Sequence, residues 1–159
     1  MRNIHKVLTV LMLLCSITIA GSAQDKEDKK TQVGNWIANK NFTFVAQTAL
    51  PQSGRMINLT TTYDLRVAAD TVISDLPFFG RAFVAPFGGR ESGLRFKSLS
   101  NKYSVKERKK GGWEITIAPK QGTEVRQMYL TVTESGYATL NVTSTNRQNI
   151  NFNGYIKQG

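Results

Sequence analysis

From residue 41 onward, apolar and polar positions alternate along the chain, which is the pattern of β-strands that bury one face. Turn residues separate the alternating segments at intervals of about ten residues, as is typical of antiparallel sheets. The pattern predicts an all-β domain, either an antiparallel β-sandwich or a partly open barrel. The predicted inward residues are Phe42, Phe44, Ala46, Tyr63, Leu65, Val67, Tyr103, Val105, Trp113, Ile115, Ile117, Met128, Leu130, Val132, Ala138, Leu140, Val142, Ile150, Phe152 and Ile156.

One segment before these strands follows a helical period instead. Val33, Trp36 and Ile37 recur on one helix face, which predicts a single short amphipathic α-helix over residues 29–39. Gly34 lowers the helical propensity of this segment. We expect Trp36 to pack against the sheet. Residues 24–30 are polar and charged, and they are expected to form a flexible leader.

Residues 1–23 have the layout of a secretory signal peptide. A short basic region precedes an uncharged run over residues 7–20, and small residues follow it. The run is shorter than the roughly 20 residues that a helix needs to cross a bilayer. We therefore expect cleavage between Ala23 and Gln24 and a periplasmic or secreted protein without a transmembrane segment after processing.

Cleavage at this position would also remove Cys15 and His5, the one cysteine and the one histidine of the sequence. The remaining single β-rich domain, residues 31–159, would then hold no disulfide, no thiolate or imidazole metal ligand and no histidine base. No cofactor is expected. The net charge of +10 favours a negatively charged partner, although charge also serves solubility. Export argues against nucleic acid and favours anionic lipid, polysaccharide or an acidic envelope protein.

Residues 76–96 break the alternating pattern. Their sequence, LPFFGRAFVAPFGGRESGLRF, is rich in proline, glycine, arginine and phenylalanine. Its prolines suit strand ends or edges, and its glycines permit turns or a close approach of the backbone. Aromatic side chains with a few polar groups are typical of ligand clefts, and arginines bind carboxylates and phosphates. Packing of the phenylalanines in the core is the alternative. The candidate ligand residues are Phe78, Phe79, Arg81, Phe83, Phe87, Arg90, Arg95 and, from a later loop, Arg147.

A second candidate surface lies on the predicted hairpin around residues 103–117. Residues 109–112 form its turn, and the polar face of its first strand is basic. Such a stripe would be exposed to solvent on the sheet surface. The candidate interaction residues are Lys102, Lys106, Arg108 and Lys110.

Several motifs of the chain occur together in a known family. They are Leu-Pro-Phe-Phe-Gly-Arg-Ala-Phe at 76–83, Pro-Phe-Gly-Gly at 86–89, Gly-Trp-Glu-Ile at 112–115, and the closing Gly136, Ala138, Leu140, Ser144, Arg147, Ile150 and Gly154. With these motifs, residues 36–156 resemble the Bacteroidetes domain-of-unknown-function family 4251. Phe79, Phe83 and Phe87 stand where tyrosine is expected. The resemblance implies an exported bacterial domain of unassigned activity, and it brings no catalytic residue.

The carboxylates of the chain form no recognisable catalytic motif. Glu107 and Glu114 would approach each other across the hairpin, but the neighbouring cations favour a salt-bridged surface over a catalytic pair. We therefore expect a non-enzymatic binding or interaction module of the bacterial envelope that holds an apolar or anionic ligand. The alternative is a structural or adaptor protein that binds a protein partner by a sheet edge or by the basic hairpin. A hydrolase based on two carboxylates is a remote alternative.

Overall fold

The computed structural model describes residues 17–83, 94–120 and 123–159, with side chains from residue 25 onward. In this part of the chain one helix precedes nine strands. The elements are α1 (Ile17–Ala38), β1 (Asn41–Pro51), β2 (Ile57–Ala68), β3 (Thr71–Leu76), β4 (Leu94–Ser98), β5 (Lys102–Glu107), β6 (Trp113–Ala118), β7 (Val125–Val132), β8 (Tyr137–Ser144) and β9 (Ile150–Gln158). The predicted all-β class with one N-terminal helix is confirmed.

The nine strands form one antiparallel sheet in the order β4-β3-β2-β1-β9-β8-β7-β6-β5. The first strand pairs with the last, with Phe44 opposite Ile156. This pairing joins the two halves of the chain into one sheet, which is curled into a half-barrel. Of the two predicted architectures, the partly open barrel is therefore correct and the two-sheet sandwich is wrong.

The two edge strands of the sheet are consecutive in the chain. β4 pairs with β3 and β5 pairs with β6, although only residues 99–101 separate β4 from β5. The side-chain amide of Asn101 holds this junction, because it donates hydrogen bonds to the carbonyl oxygens of Asp70, at 2.8 Å, and Ser98, at 3.0 Å. The segment 94–107 thus links the two edges of the curled sheet.

The inner face of the sheet forms the core, and most of the predicted inward residues are buried there. Phe42, Phe44 and Phe152 are among its largest fully buried side chains. Tyr63, Tyr103 and Trp113 are partly buried. Val105 lies on the inner face, opposite the buried Ile115, but it is 41 % exposed. The reason is that β5 is an edge strand with a sheet neighbour on one side only.

Helix α1 packs at the end of the sheet where β1 begins. Val33 and Ile37 are fully buried, and Trp36 packs partly against the core as predicted. The helix is longer than predicted, since it begins at Ile17 and includes residues 24–30, which were expected to form a flexible leader. Lysine and glutamate in this stretch are good helix formers, and Lys30 pairs with Glu134 at 3.1 Å.

The predicted signal peptide is only partly covered by the structure. Residues 1–16 lie outside the described residues, and the side chains of Ala23 and Gln24 are not described. In the described part of the chain, no helix combines the length and the apolar character needed to cross a membrane.

Tyr103 links β5 to α1, and we expect it to make the free energy of unfolding fall at alkaline pH. Its hydroxyl donates a hydrogen bond to the carbonyl oxygen of Ile37 at 3.1 Å, and burial raises the pKa of this phenol. Above about pH 10 the unfolded chain loses the phenol proton while the folded chain keeps it, so the free energy of unfolding falls by at most about 1.4 kcal/mol per pH unit. Below that pH both states hold the proton, and the contribution is constant.

We therefore expect Tyr103→Phe to lose stability less steeply than the native chain as the pH rises beyond about 10. Urea unfolding at neutral pH and at several alkaline pH values measures this slope. The neutral measurement serves as the control, because there the variant lacks only the hydrogen bond. Equal alkaline slopes for the two proteins would contradict the prediction.

Candidate functional site

Residues 77–83 lie at the end of the sheet opposite to the end that α1 covers, and they contact the connection between β8 and β9. The amide of Phe83 donates a hydrogen bond to the carbonyl oxygen of Asn146 at 2.8 Å, and the amide of Gln148 donates to that of Arg81 at 3.1 Å. Ala82 forms an isolated β-bridge with Arg147. The structure thus brings the first part of the predicted ligand segment next to Arg147.

The Arg147 side chain is buried between these two loops. Only 6 % of it is exposed, and its Nη2 lies 2.9 Å from Oε1 of Glu124. The guanidinium carbon lies 4.9 Å from the centre of the Phe78 ring, a distance at which a cation attracts an aromatic face. Arg147 therefore connects three segments of the chain. This geometry gives its side chain a structural role, which is to hold the two loops together.

The remaining candidate ligand residues do not form one site in the described structure. Phe78 and Phe79 pack against the core, which is the alternative that the sequence left open. Phe83 is 67 % exposed. Arg81 is exposed. Arg95 lies on the surface, where its Nε is 2.6 Å from Oδ1 of Asp75. Phe87 and Arg90 lie outside the described residues.

A cleft of about 600 Å³ lies at the other end of the sheet, between α1 and the tips of the β5–β6 and β7–β8 hairpins. We call it the basic cleft. It combines four cations with two carboxylates and two hydroxyl groups. Its lining residues are Asp25, Lys26, Lys29, Arg108, Lys110, Gly111, Thr133, Glu134 and Ser135.

Local turn chemistry positions the hairpin side of the basic cleft. The amide of Arg108 donates a hydrogen bond to the carbonyl oxygen of Gly112, and the amide of Gly111 donates back to that of Arg108, both at 3.0 Å. Gly111 and Gly112 have φ angles of 85° and 84°, which residues with a side chain rarely adopt. The Lys-Lys-Gly-Gly sequence therefore makes a tight turn that presents Arg108 and Lys110 next to the helix.

The helix side of the basic cleft is fixed by packing and by one ion pair. Lys29 lies with its Nζ 5.6 Å from the centre of the Trp36 ring. Lys30 bonds Glu134 of the β7–β8 turn, and the hydrogen bond and charge of this carboxylate raise the pKa of Lys30. The Lys30–Glu134 pair holds the charged part of α1 against the hairpin tips, whereas the Lys29–Trp36 contact orients Lys29 within the helix.

The candidate residues of the predicted basic hairpin lie partly in this cleft and partly outside it. Arg108 and Lys110 line the basic cleft. Lys106 lines a smaller depression on the other side of the same turn, whereas Lys102 is exposed near the start of β5. Sequence reasoning missed Lys26 and Lys29 because it placed them in or next to a leader. Lys26 and Lys29 lie seven and four residues before Val33. This helical spacing would have placed them on the same helix face as Val33.

The carboxylate of Glu114 lies among the cations of the hairpin. Glu114 lies opposite Lys106 in the hairpin register, and its Oε1 is 3.5 Å from Nε of Arg108. Over residues 25–83, 94–120 and 123–159, no group of three histidine, cysteine, aspartate or glutamate side chains is placed to hold a metal ion. The arrangement of the basic cleft instead suits the binding of an anion.

Comparison with known proteins defines the family of the chain. The family model described as "Domain of unknown function (DUF4251)" matches residues 24–156. The crystal structure of a DUF4251 family protein from Bacteroides eggerthii DSM 20697 is similar, with a TM-score of 0.60 and 15% sequence identity, over 82% of this chain and 87% of that one. At this identity the likeness shows the fold alone. A search of curated proteins finds no match. The chain belongs to the DUF4251 family.

Proposed function

We propose that the protein is a non-catalytic, exported binding module of the bacterial envelope that recognises an anionic ligand in the basic cleft. One observation carries this proposal: four cations from two distant parts of the chain, α1 and the β5–β6 turn, line one cleft with two carboxylates. A concave site with an excess of one charge concentrates its field and attracts ligands of the opposite charge.

The ion pairs of the structure leave this excess charge available. Glu134 is engaged by Lys30 and Arg108 by Glu114. Within the described residues, Lys26, Lys29 and Lys110 form no ion pair. Bringing unpaired like charges together costs free energy, and a bound anion would offset that cost.

Export is part of the proposal and is supported by the tripartite N-terminus. The alternative adaptor role would use the edge of β5, which pairs with β6 alone. Lys102 and Lys106 lie on this strand, and lysines on an edge strand oppose the addition of another strand. The basic cleft is therefore the better-supported site.

Charge reversal in the basic cleft tests the proposal. We expect Lys26→Glu/Lys110→Glu to weaken binding of dextran sulfate by about tenfold or more, since four units of charge are changed at the site. Isothermal titration at low and at physiological ionic strength measures the affinity, with uncharged dextran as the blank. The native affinity should fall with added salt because the contacts are between exposed charges.

The matched control is Lys97→Glu/Lys157→Glu. It makes the same change in net charge at two exposed lysines that do not line the basic cleft. We expect its affinity to stay within about twofold of the native value. An equal loss in both double variants would assign binding to net charge, and a native protein that prefers dextran sulfate no more than dextran would refute the proposal.

A further inference from the structure

A second depression, on the outer face of the sheet, shares two lining residues with the basic cleft. This depression has a volume of about 380 Å³, and we call it the polar depression. Arg108 and Thr133 line both spaces, so a ligand longer than one small unit can extend from one into the other. Its lining residues are Gln47, Arg108, Thr131, Thr133, Tyr137, Ala138, Thr139, Asn153 and Gly154.

The chemistry of the polar depression differs from that of the basic cleft. Gln47 and Asn153 supply amides, and the threonines supply hydroxyl groups, which both donate and accept hydrogen bonds. The Thr139 hydroxyl donates to Oδ1 of Asn153 at 3.0 Å, which orients that amide. Tyr137 is 65 % exposed and offers a ring face together with a hydroxyl.

We infer that the ligand is an acidic oligosaccharide, and this inference rests on the proposed function. A carboxylate- or sulfate-bearing sugar unit lies in the basic cleft, where the cations bind its charge. The next unit lies in the polar depression, where amides and threonine hydroxyls bond its hydroxyl groups and the Tyr137 ring packs against its C–H groups. Arg108 stands at the junction and contacts both units.

The same residues argue against two other polyanions. The carboxylates of Asp25 and Glu134 in the basic cleft accept hydrogen bonds from hydroxyl groups, which a sugar unit offers in larger number than a nucleotide. Proteins that bind single-stranded nucleic acid use several stacking rings, whereas Tyr137 is the one aromatic ring among the described lining residues. A membrane surface would need apolar side chains that insert, and these two concave spaces present polar groups.

Binding of galacturonic acid oligomers tests this inference in two ways. Ligands of different length are compared, and the native protein is compared with a Tyr137 variant. We expect the hexamer to bind more tightly than the galacturonic acid monomer, which can occupy only one of the two spaces. Tyr137→Ala should weaken the hexamer by about tenfold, the effect of losing one ring contact. The variant should fold, because the Tyr137 contacts that hold the β7–β8 turn come from its backbone carbonyl.

The matched control is Tyr129→Ala. Tyr129 lies on β7, is 44 % exposed, and lines neither the basic cleft nor the polar depression. We expect this variant to bind the hexamer within about twofold of the native protein. The neutral galactose hexamer should not bind at the same concentrations.

The outcomes separate this inference from the proposed function. If the two tyrosine variants bind the hexamer equally, or if the galacturonic acid monomer binds as tightly as the hexamer, the inference is wrong while the anion site stands. If a single-stranded oligonucleotide of equal charge binds as tightly as the hexamer, the sugar class is wrong. If dextran sulfate and the hexamer both fail to bind the native protein, the proposed function and the inference fall together.

Discussion

Gly154→Ala is expected to lower the free energy of unfolding by about 3 kcal/mol or more, or to prevent folding. Gly154 lies in β9 opposite Ala46 of β1. A Cβ atom at this position would overlap the carbonyl oxygen of Val45 and lie 2.9 Å from its carbonyl carbon. These are backbone atoms of the neighbouring strand, so no side-chain rotation relieves the overlap. The two strands would have to separate where the sheet curls.

Urea unfolding followed by circular dichroism measures this effect. Gly54→Ala is the control, since a Cβ atom there would meet only the Pro51 side chain at an ordinary 3.7 Å. We expect the control to stay within about 0.5 kcal/mol of the native protein. A Gly154→Ala variant as stable as the control would show that β1 and β9 can separate locally at low cost.

Arg147→Ala is expected to cost about 3 kcal/mol of stability. The substitution removes the hydrogen-bonded pair with Glu124, the contact with the Phe78 ring and the packing of a buried side chain. It also loosens residues 81–83, whose hydrogen bonds end on the connection that carries Arg147. Hydrogen exchange of the Phe83 amide should therefore accelerate more than exchange within β7 or β8.

Arg95→Ala is the matched control for this prediction. Arg95 also pairs with a carboxylate, Asp75, but both side chains are more than half exposed, 59% and 53%. An exposed ion pair contributes less than about 1 kcal/mol, so the control should change stability little and leave Phe83 exchange unaltered. Similar losses for the two arginines would show that burial of Arg147 does not determine its contribution.

The strand pattern could be predicted because it is local. β7 alternates between buried and outward residues from Met128 to Val132, and β8 does so from Tyr137 to Val142. This alternation follows from the two-residue period of a strand. The exposure of Val105 could not be predicted in this way, because it depends on whether β5 has a neighbour on both sides. The helix was predicted too short because residues 17–23 were assigned to a signal peptide and the polar residues 24–30 to a flexible leader. The contact of Lys30 with Glu134 shows that the polar stretch lies against the β7–β8 turn.

The candidate ligand residues show the limit of composition as a guide. A segment dense in phenylalanine and arginine suggests a binding site. In the described part of this segment, however, Phe78 packs against the core and contacts Arg147. The same residue types serve packing and recognition, and burial decides between them. Burial depends on neighbours from distant parts of the chain, which composition does not reveal.

The sequence by itself determined the strand segments, their inward faces and the tight turn at residues 109–112, since each depends on residues near one another in the chain. The tertiary structure alone decided that β1 pairs with β9 and that Lys26 and Lys29 share a cleft with Lys110. The physical reason is that closing a long loop is driven by the burial of the whole core, to which every strand contributes. The candidate site lies where that closure brings the helix and two hairpin tips together.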